Sequence, residues 1–383
     1  MSGVAGYRFA LLDWLACAAG GRDEPAPRAA QALGDGLAER VIALGTAGHV
    51  LDFDDTYLPG LAHLSAPTAP AAVVLGAELG ATVGEVLDAY AEGFEAMGAL
   101  TAANHPRLRE RGWHPTATCG VVGASVACAR LLDLDDERRA AAPRLALLGA
   151  AGLHAAFGSD GKSLQVGIAA AAGLTGARLA AGGASIDHAL TAGFEETYGA
   201  RWVEPGTGTG AIAFNWIKAY PCCLQTHGVI DAALMVREQA GVPDGPITVT
   251  VHPISRQAAF RDDVATGLEA KFSIPYLTAY TLLHGAPDAD ALRGVDREAR
   301  ALANERVRIR TDAELLESEA LIEADGAAAR VEAALGSPQN PMDSRALTAK
   351  VHALAGDALD GALDDPARPI GAVLDAVQRR MPV

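Results

Sequence analysis

Residues 85–103, EVLDAYAEGFEAMGALTAA, place Val86, Leu87, Tyr90, Phe94, Met97 and Leu100 at spacings of one, three or four. That is the apolar stripe of an amphipathic helix, and it sets the reading of everything around it. Outward from it, residues 1 to about 212 carry almost only helical signals. Pro115, after Trp113 and His114, sits where a first helical turn tolerates proline and opens an apolar helix to about Leu132; residues 143–157 predict a third helix and 162–181 a fourth. The character changes after residue 240. Pro246 to His252 (PITVTVH) alternates β-branched side chains, Arg306 to Arg310 alternates charge with aliphatic, and Leu321–Asp325 with Ala328–Ala334 read as a strand pair across Gly326. Pro338, Pro341 and Asp343 mark a boundary, after which Ser344–Leu354 and Ile370–Arg380 return to helix. The expected fold is therefore mainly α: a large all-helical domain built from both chain ends, 1–212 and 340–383, with a smaller α+β domain, 213–339, inserted between them.

Composition agrees with close helix packing. Apolar residues make up 50% of the 383 while aromatics are only 5%, so small side chains carry the hydrophobicity, and runs such as Val121–Ala127 and Ile168–Gly173 let helix axes approach closely. The net charge of −16, from 47 acidic against 31 basic residues, argues against a nucleic-acid partner. An anionic substrate would need a local basic pocket built against this field. Five cysteines, with Cys222 and Cys223 adjacent, make neither a disulfide framework nor a CxxC pair, which points to a reduced, cytoplasmic protein. There is no leader-like N-terminus and no membrane partner is expected: the most apolar stretch, Val166–Ala181, is broken by Gly173, Gly176 and Arg178 and reads as a buried helix.

Four polar clusters interrupt this background. His49–His63 (HVLDFDDTYLPGLAH) crowds Asp52, Asp54, Asp55, Thr56 and His63 around a Pro59-Gly60 turn; it is either a site, or a turn in which Asp54, Asp55 or Thr56 caps the next helix. Gly112–Gly120 (GWHPTATCG) sets His114 just before a helix, where backbone N–H groups favour an anion, or where His114 is simply the cap residue. Gly158–Gly167 (GSDGKSLQVG) puts Lys162 at a glycine-rich helix entry without the GxxxxGK[ST] spacing of a nucleotide loop, leaving a carboxylate-neutralising lysine or an ordinary exposed one. Lys218–His227 (KAYPCCLQTH) surrounds a lysine with apolar neighbours that would depress its pKa and suit it to proton transfer.

The ordered series HVLDFDDT…H, GWHPTATCG, GSDGK, KAYPCCLQTHGVIDAAL, GLEAKFSIPY and SPQNPM resembles the MmgE/PrpD family, whose members include 2-methylcitrate dehydratase, cis-aconitate decarboxylase and iminodisuccinate epimerase. The resemblance runs from about residue 7 to residue 380. It implies a homodimer whose subunit has a large helical domain and a smaller lid domain, with the active site in the cleft between them. Carried over by position, it marks Asp52, Thr56 and His63 in the first motif, His114 in the second, Lys162 after the glycine turn, Lys218 in KxYPCC and Tyr276 at the end of EAKFSxxY, with Lys271 in that motif a weaker candidate. One departure stands out: many relatives have a histidine three residues after the third-motif lysine, and this chain has Gln165, which cannot carry a proton or charge at neutral pH. Gly161 also replaces a common threonine.

Dehydration, decarboxylation and epimerisation of polycarboxylates all pass through carbanion-like states and need cations plus paired acid and base groups. The resemblance thus implies catalytic roles for Asp52, His63, His114, Lys218 and Tyr276, substrate binding by Thr56, Lys162, Gln165 and Lys271, and no metal or cofactor. In this reading Lys162, Lys218, His63 and His114 supply cations, Tyr276 or Lys218 supplies the proton with His63 as competitor, and Asp52 orients a histidine or holds a lysine. A lyase of a citrate-, methylcitrate- or aconitate-like acid is expected, with an epimerase of an iminodicarboxylate as alternative. Residues 52–56 (DFDDT) also spell the DxDxT of haloacid-dehalogenase-type phosphohydrolases, with Asp52 as nucleophile, but that motif follows a buried parallel strand and this one lies in a helical region.

Overall fold

A computed structural model of the chain describes residues 3–206 and 210–379. Helix accounts for 61% of it, so the molecule is mainly α as the periodicities require. The stripe of residues 85–103 lies within the Val83–Asn104 helix, which opens on a capping box between Thr82 and Glu85. It packs on the Pro115–Leu131 helix, which packs in turn on Gly161–Ala181; Leu37–Val50 and Ser65–Leu79 close the bundle. Glycines set the spacing. A Cβ on Gly93 would stand 2.3 Å from the Gly123 carbonyl oxygen, and one on Gly167 would stand 2.4 Å from that of Ile42, so these backbones touch where no side chain fits.

Two hydrophobic cores result. One joins residues from Ala10 to Ile217 with residues from Leu347 to Val377, bringing both chain ends together. The other is built from residues between Trp216 and Ala334, with Phe157 reaching into it. The second core sits beneath a four-stranded sheet in the order β4-β3-β5-β6. Here β3 is Ile247–Val251, β4 Val307–Thr311, β5 Ala320–Ala324 and β6 Ala327–Val331. β3 runs parallel to β4 and antiparallel to β5. The expected strand pair across Gly326 is present, turned by Asp325 and Gly326 at φ of 40° and 82°.

Three local expectations change. The helix read at 143–157 begins earlier, at Asp136, because the Asp135 carboxylate caps it on the Arg138 N–H; it stops at Ala146 and dissolves into 3-10 turns, Gly152 at φ +114° forbidding continuation. The first half of the chain does contain a strand: β1, Thr56–Tyr57, pairs antiparallel with β2, Asn215–Trp216, which no two-residue pattern announces. The Gly161–Ala181 helix, long and apolar enough to span a bilayer by length and composition, is only partly interior, with Ile168 52% and Leu179 43% exposed on its outer side. The last helix runs Ile370–Gln378; Arg380, where it was expected to end, lies outside the described residues.

Candidate active site

The site is assembled where the Leu37–Val50 helix stops. Its last carbonyls have no intrahelical partner, and Lys271 Nζ takes those of Val50 and Leu51 at 3.2 and 2.8 Å, a buried cation at the negative end of the helix. The chain then turns through Asp52, whose φ of +53° is a left-handed conformation that aspartate tolerates better than most residues. That turn drives the Asp52 carboxylate inward. Its Oδ1 receives Lys162 Nζ at 2.7 Å and Lys218 Nζ at 2.8 Å, and Lys218 also donates to the Asp52 carbonyl at 2.9 Å. Lys350 Nζ holds the next carbonyl, Phe53, at 2.7 Å and pairs with buried Asp13 at 2.6 Å. Four lysines thus tie down a single turn.

Burial alone would raise the Asp52 carboxyl; Lys162 and Lys218 outweigh it and hold the group well below the ordinary carboxylate range. The same pairing reverses the expectation for Lys218. Burial lowers its pKa, but Asp52 and then Asp54 more than compensate, so it stays a cation rather than a proton carrier. Lys271 has no carboxylate of its own, and burial pushes it down to about 8. Lys162 lies over the rings of Phe157 and Phe272, 5.4 Å from each centroid.

The three histidines form a cluster: the His49 and His63 rings are 4.6 Å apart, and His49 and His114 are 6.2 Å apart. His49 Nδ1 meets Asp54 at 2.9 Å. His63 Nδ1 is 2.8 Å from the carbonyl of Asp55, with the Thr56 hydroxyl at 3.3 Å. A carbonyl only accepts, so Nδ1 carries the proton and His63 Nε2 is left bare, 3.9 Å from Asp52 Oδ1. His114 is the opposite tautomer. Its Nδ1 is 2.7 Å from Gln165 Nε2, whose Oε1 accepts the Leu153 N–H at 2.9 Å, so Gln165 must donate and His114 carries its proton on Nε2. Burial pushes His63 down to about 3, with the neighbouring lysines adding to the effect, and pushes His114 well below the ordinary range. Both rings are therefore neutral at physiological pH, contrary to the expectation that they supply cations.

Asp52, Thr56, His63, His114 and Lys162 line one cavity of about 30 Å³. Lys218, Gln165 and Lys271 stand behind its wall, each bonded to a residue or turn that shapes it. Tyr276 is not brought there: its hydroxyl accepts the Asp296 N–H at 2.9 Å, within the second core. The helix-cap alternative for the 54–56 segment also fails, because the Ser65–Leu79 helix starts at Leu64 without a side-chain cap. His114 does occupy the N-cap position of its helix, yet its ring makes no cap bond.

Comparison with known proteins decides the family. Residues 37–201 match the MmgE/PrpD N-terminal domain and residues 220–375 match the MmgE/PrpD C-terminal domain. The chain belongs to the MmgE/PrpD family. Among curated relatives, human cis-aconitate decarboxylase is 28% identical over 263 residues, and the mouse protein of the same name is 26% identical over 276; each match takes in 63% of this chain and 54% of the relative. The chain thus spans about half the length of the curated relatives it matches.

Family membership also disposes of the phosphohydrolase spelling. Asp52 follows a helix, not a parallel strand. His49, Asp54 and His63 bring donor atoms close enough to hold a metal ion, but a metal bound through Nδ1 would displace both imidazole protons from their acceptors. Several participants escaped the sequence reading. The His49–Asp54 pair was visible in the first motif yet needed the fold to show it as a pair. Lys350 sits in an unremarkable helix, SRALTAK, and Arg109 in the basic run RLRER. Arg109 lines the same cavity, and its guanidinium meets His154 Nε2 at 2.9 Å.

Proposed function

We propose that this MmgE/PrpD protein is a cofactor-independent lyase, a decarboxylase or dehydratase, acting on a citrate- or aconitate-like polycarboxylate. The observation that carries the proposal is the pair of complementary neutral imidazoles, His63 bare at Nε2 and His114 protonated at Nε2, on one cavity beside the Lys162–Asp52 pair. A bare imidazole takes a proton and a protonated neutral one gives it. In a dehydration, His63 Nε2 removes the proton next to a carboxylate while His114 Nε2–H protonates the departing hydroxide; water leaves, and the proton held by His63 returns to His114 through solvent, which resets both rings. In a decarboxylation, the electron pair of the breaking C–CO₂ bond passes into the conjugated carboxylate-bearing system, and His114 Nε2–H places a proton on carbon and regains one from solvent. Lys162 stabilises the charge that develops. Asp52, with Lys218 behind it, acts as the anchor that holds Lys162 in place.

The human and mouse relatives are cis-aconitate decarboxylases, which makes decarboxylation the first reaction to test. Opposed base and acid also suit an epimerase, which removes and returns one proton. Incubating the purified protein with cis-aconitate, citrate, 2-methylcitrate and an iminodicarboxylate in D₂O separates the readings. The lyase reading expects loss of CO₂ or water with one of the first three; deuterium exchange without either supports the epimerase.

The same reading takes the second core as a lid over the helical domain, closing through Lys218 and Lys271 on the 50–52 turn. A second copy of the chain is the proposed partner. It would cover the outer face of the Gly161–Ala181 helix, where exposed Ile168 and Leu179 lie on the same side.

A further inference from the structure

Arg109 is an arginine without an anion. It lies between Pro106 and the GWHP turn, half-buried, with no carboxylate within ion-pair distance among the described residues; its nearest polar partner is the neutral imidazole of His154, kept neutral by burial and by Arg109 itself. Burial lowers the Arg109 pKa, and the more distant Cys223 and Glu317 offset that only in part, so the guanidinium has lost water without gaining a paired carboxylate. Gln225 lines the same cavity and is 5% exposed. Its Oε1 accepts the Cys223 thiol at 3.2 Å, which fixes the amide so that Nε2 faces away from that bond, and this Nε2 has no partner although buried. Two donor groups therefore front the cavity, an amide with no acceptor and a guanidinium whose one hydrogen-bond acceptor is a neutral imidazole.

The charges point the same way. Around the cavity Lys162, Lys218, Lys271 and Arg109 stand against the carboxylates Asp52 and Asp54, while Asp55, pushed up to about 8 by burial and by Asp54, is uncharged at neutral pH. The protein carries −16 overall and keeps a cationic surplus here.

We propose that Arg109 and Gln225 form a carboxylate subsite that selects tricarboxylates over dicarboxylates, the guanidinium fork and the Gln225 amide together gripping one carboxylate of the substrate. The inference rests on the polycarboxylate reading of the cavity and adds a subsite that the family motifs do not mark. Arginine suits the task because its fork matches a carboxylate in two bonds, as a lysine does not. In this reading the subsite takes the central carboxylate, the group that a dicarboxylate of the same chain lacks.

The test is calorimetric titration of the full-length protein with tricarballylate and with glutarate, which is the same chain lacking the central carboxylate. The wild type is expected to bind tricarballylate more tightly, and Arg109→Gln to weaken tricarballylate by about 10- to 100-fold, the range of a charged hydrogen-bonded contact, while changing glutarate less than about threefold. Gln225→Leu, which leaves the charge in place, should weaken tricarballylate in the same sense by a smaller factor; thermal unfolding checks that both variants remain folded. If either folded variant binds both ligands as the wild type does, or loses both equally, the subsite is refuted while the polycarboxylate reading stands. If the wild type binds neither ligand, that reading falls and the subsite with it.

Discussion

At the scale of single residues, Asp52 carries more than any other side chain. Its carboxylate is the counter-charge for two ammonium groups, one of them fully buried, so Asp52→Asn strands both. Removing one partner of a buried pair costs about 3–5 kcal/mol, and the variant should melt well below the wild type by calorimetry; an unchanged melting temperature would mean the lysines find other partners. The pH dependence follows from the protonation states. His63 gains charge only below about 3, so it remains a base through the mildly acid range. Lys271 is cationic below about 8 and loses its charge above it, and Asp55 becomes charged near the same pH. The profile of kcat/KM for the identified substrate should therefore be flat through pH 6.5 and fall on the alkaline side above about 8. An inflection near 6.5, the ordinary histidine value, would show that His63 is not held neutral. His63→Gln should lower kcat by about 10²–10⁴, the usual worth of a general base. Gln165→Glu replaces the amide donor to His114 with an acceptor, which reverses the tautomer; it should depress kcat while leaving the melting temperature nearly unchanged.

At the scale of elements, the helices and strands were legible in the sequence and their meeting points were not. The stripe in 85–103, the proline at 115 and the alternation in 247–251 each come from a local period, and the corresponding elements formed with ends shifted by a residue or two. The helix read at 143–157 failed because a cap at Asp135 and the break at Gly152 outrank an apolar run. The β1–β2 ladder failed for another reason: two residues carry no period, and their partners lie about 160 positions away. The first motif could be read as site or cap, and what settled it was a positive φ at Asp52 together with lysines from three distant segments. Tautomers belong to the same class. Nothing in HVLDFDDT says that His63 bonds a carbonyl, and nothing in GSDGKSLQ says that Gln165 turns its amide toward His114. Helix contacts, by contrast, follow directly from glycine. Gly167→Ala would place a methyl 2.4 Å from the Ile42 oxygen and 2.6 Å from Thr46 Oγ1, so it should cost about 1–3 kcal/mol, read as a lower urea midpoint with an unchanged slope.

At the scale of the whole molecule, the cavity is too small for the substrate the chemistry implies. About 30 Å³ admits a water or two, whereas pockets for small ligands begin near about 300 Å³. On the lid reading proposed above, entry requires the second core to move from the first. The contacts that must yield are few and identifiable: Lys271 on the Val50 and Leu51 carbonyls, Lys218 on Asp52, and the β1–β2 pair. The outer face of the Gly161–Ala181 helix poses the other question at this scale. If a second copy covers it, Ile168→Glu with Leu179→Glu should convert a dimer to a monomer in light scattering; a wild type that is already monomeric contradicts the proposed partner.

The proposed chemistry rests on two neutral imidazoles of opposite tautomer, His63 as base and His114 as donor, acting on a polycarboxylate held by cations. ¹⁵N chemical shifts of the imidazoles in the ligand-free protein at pH 6.5 measure this directly. The account predicts a protonated Nδ1 and bare Nε2 for His63, and the reverse for His114, with neither ring cationic. Finding either ring doubly protonated, or both in the same tautomer, would contradict it.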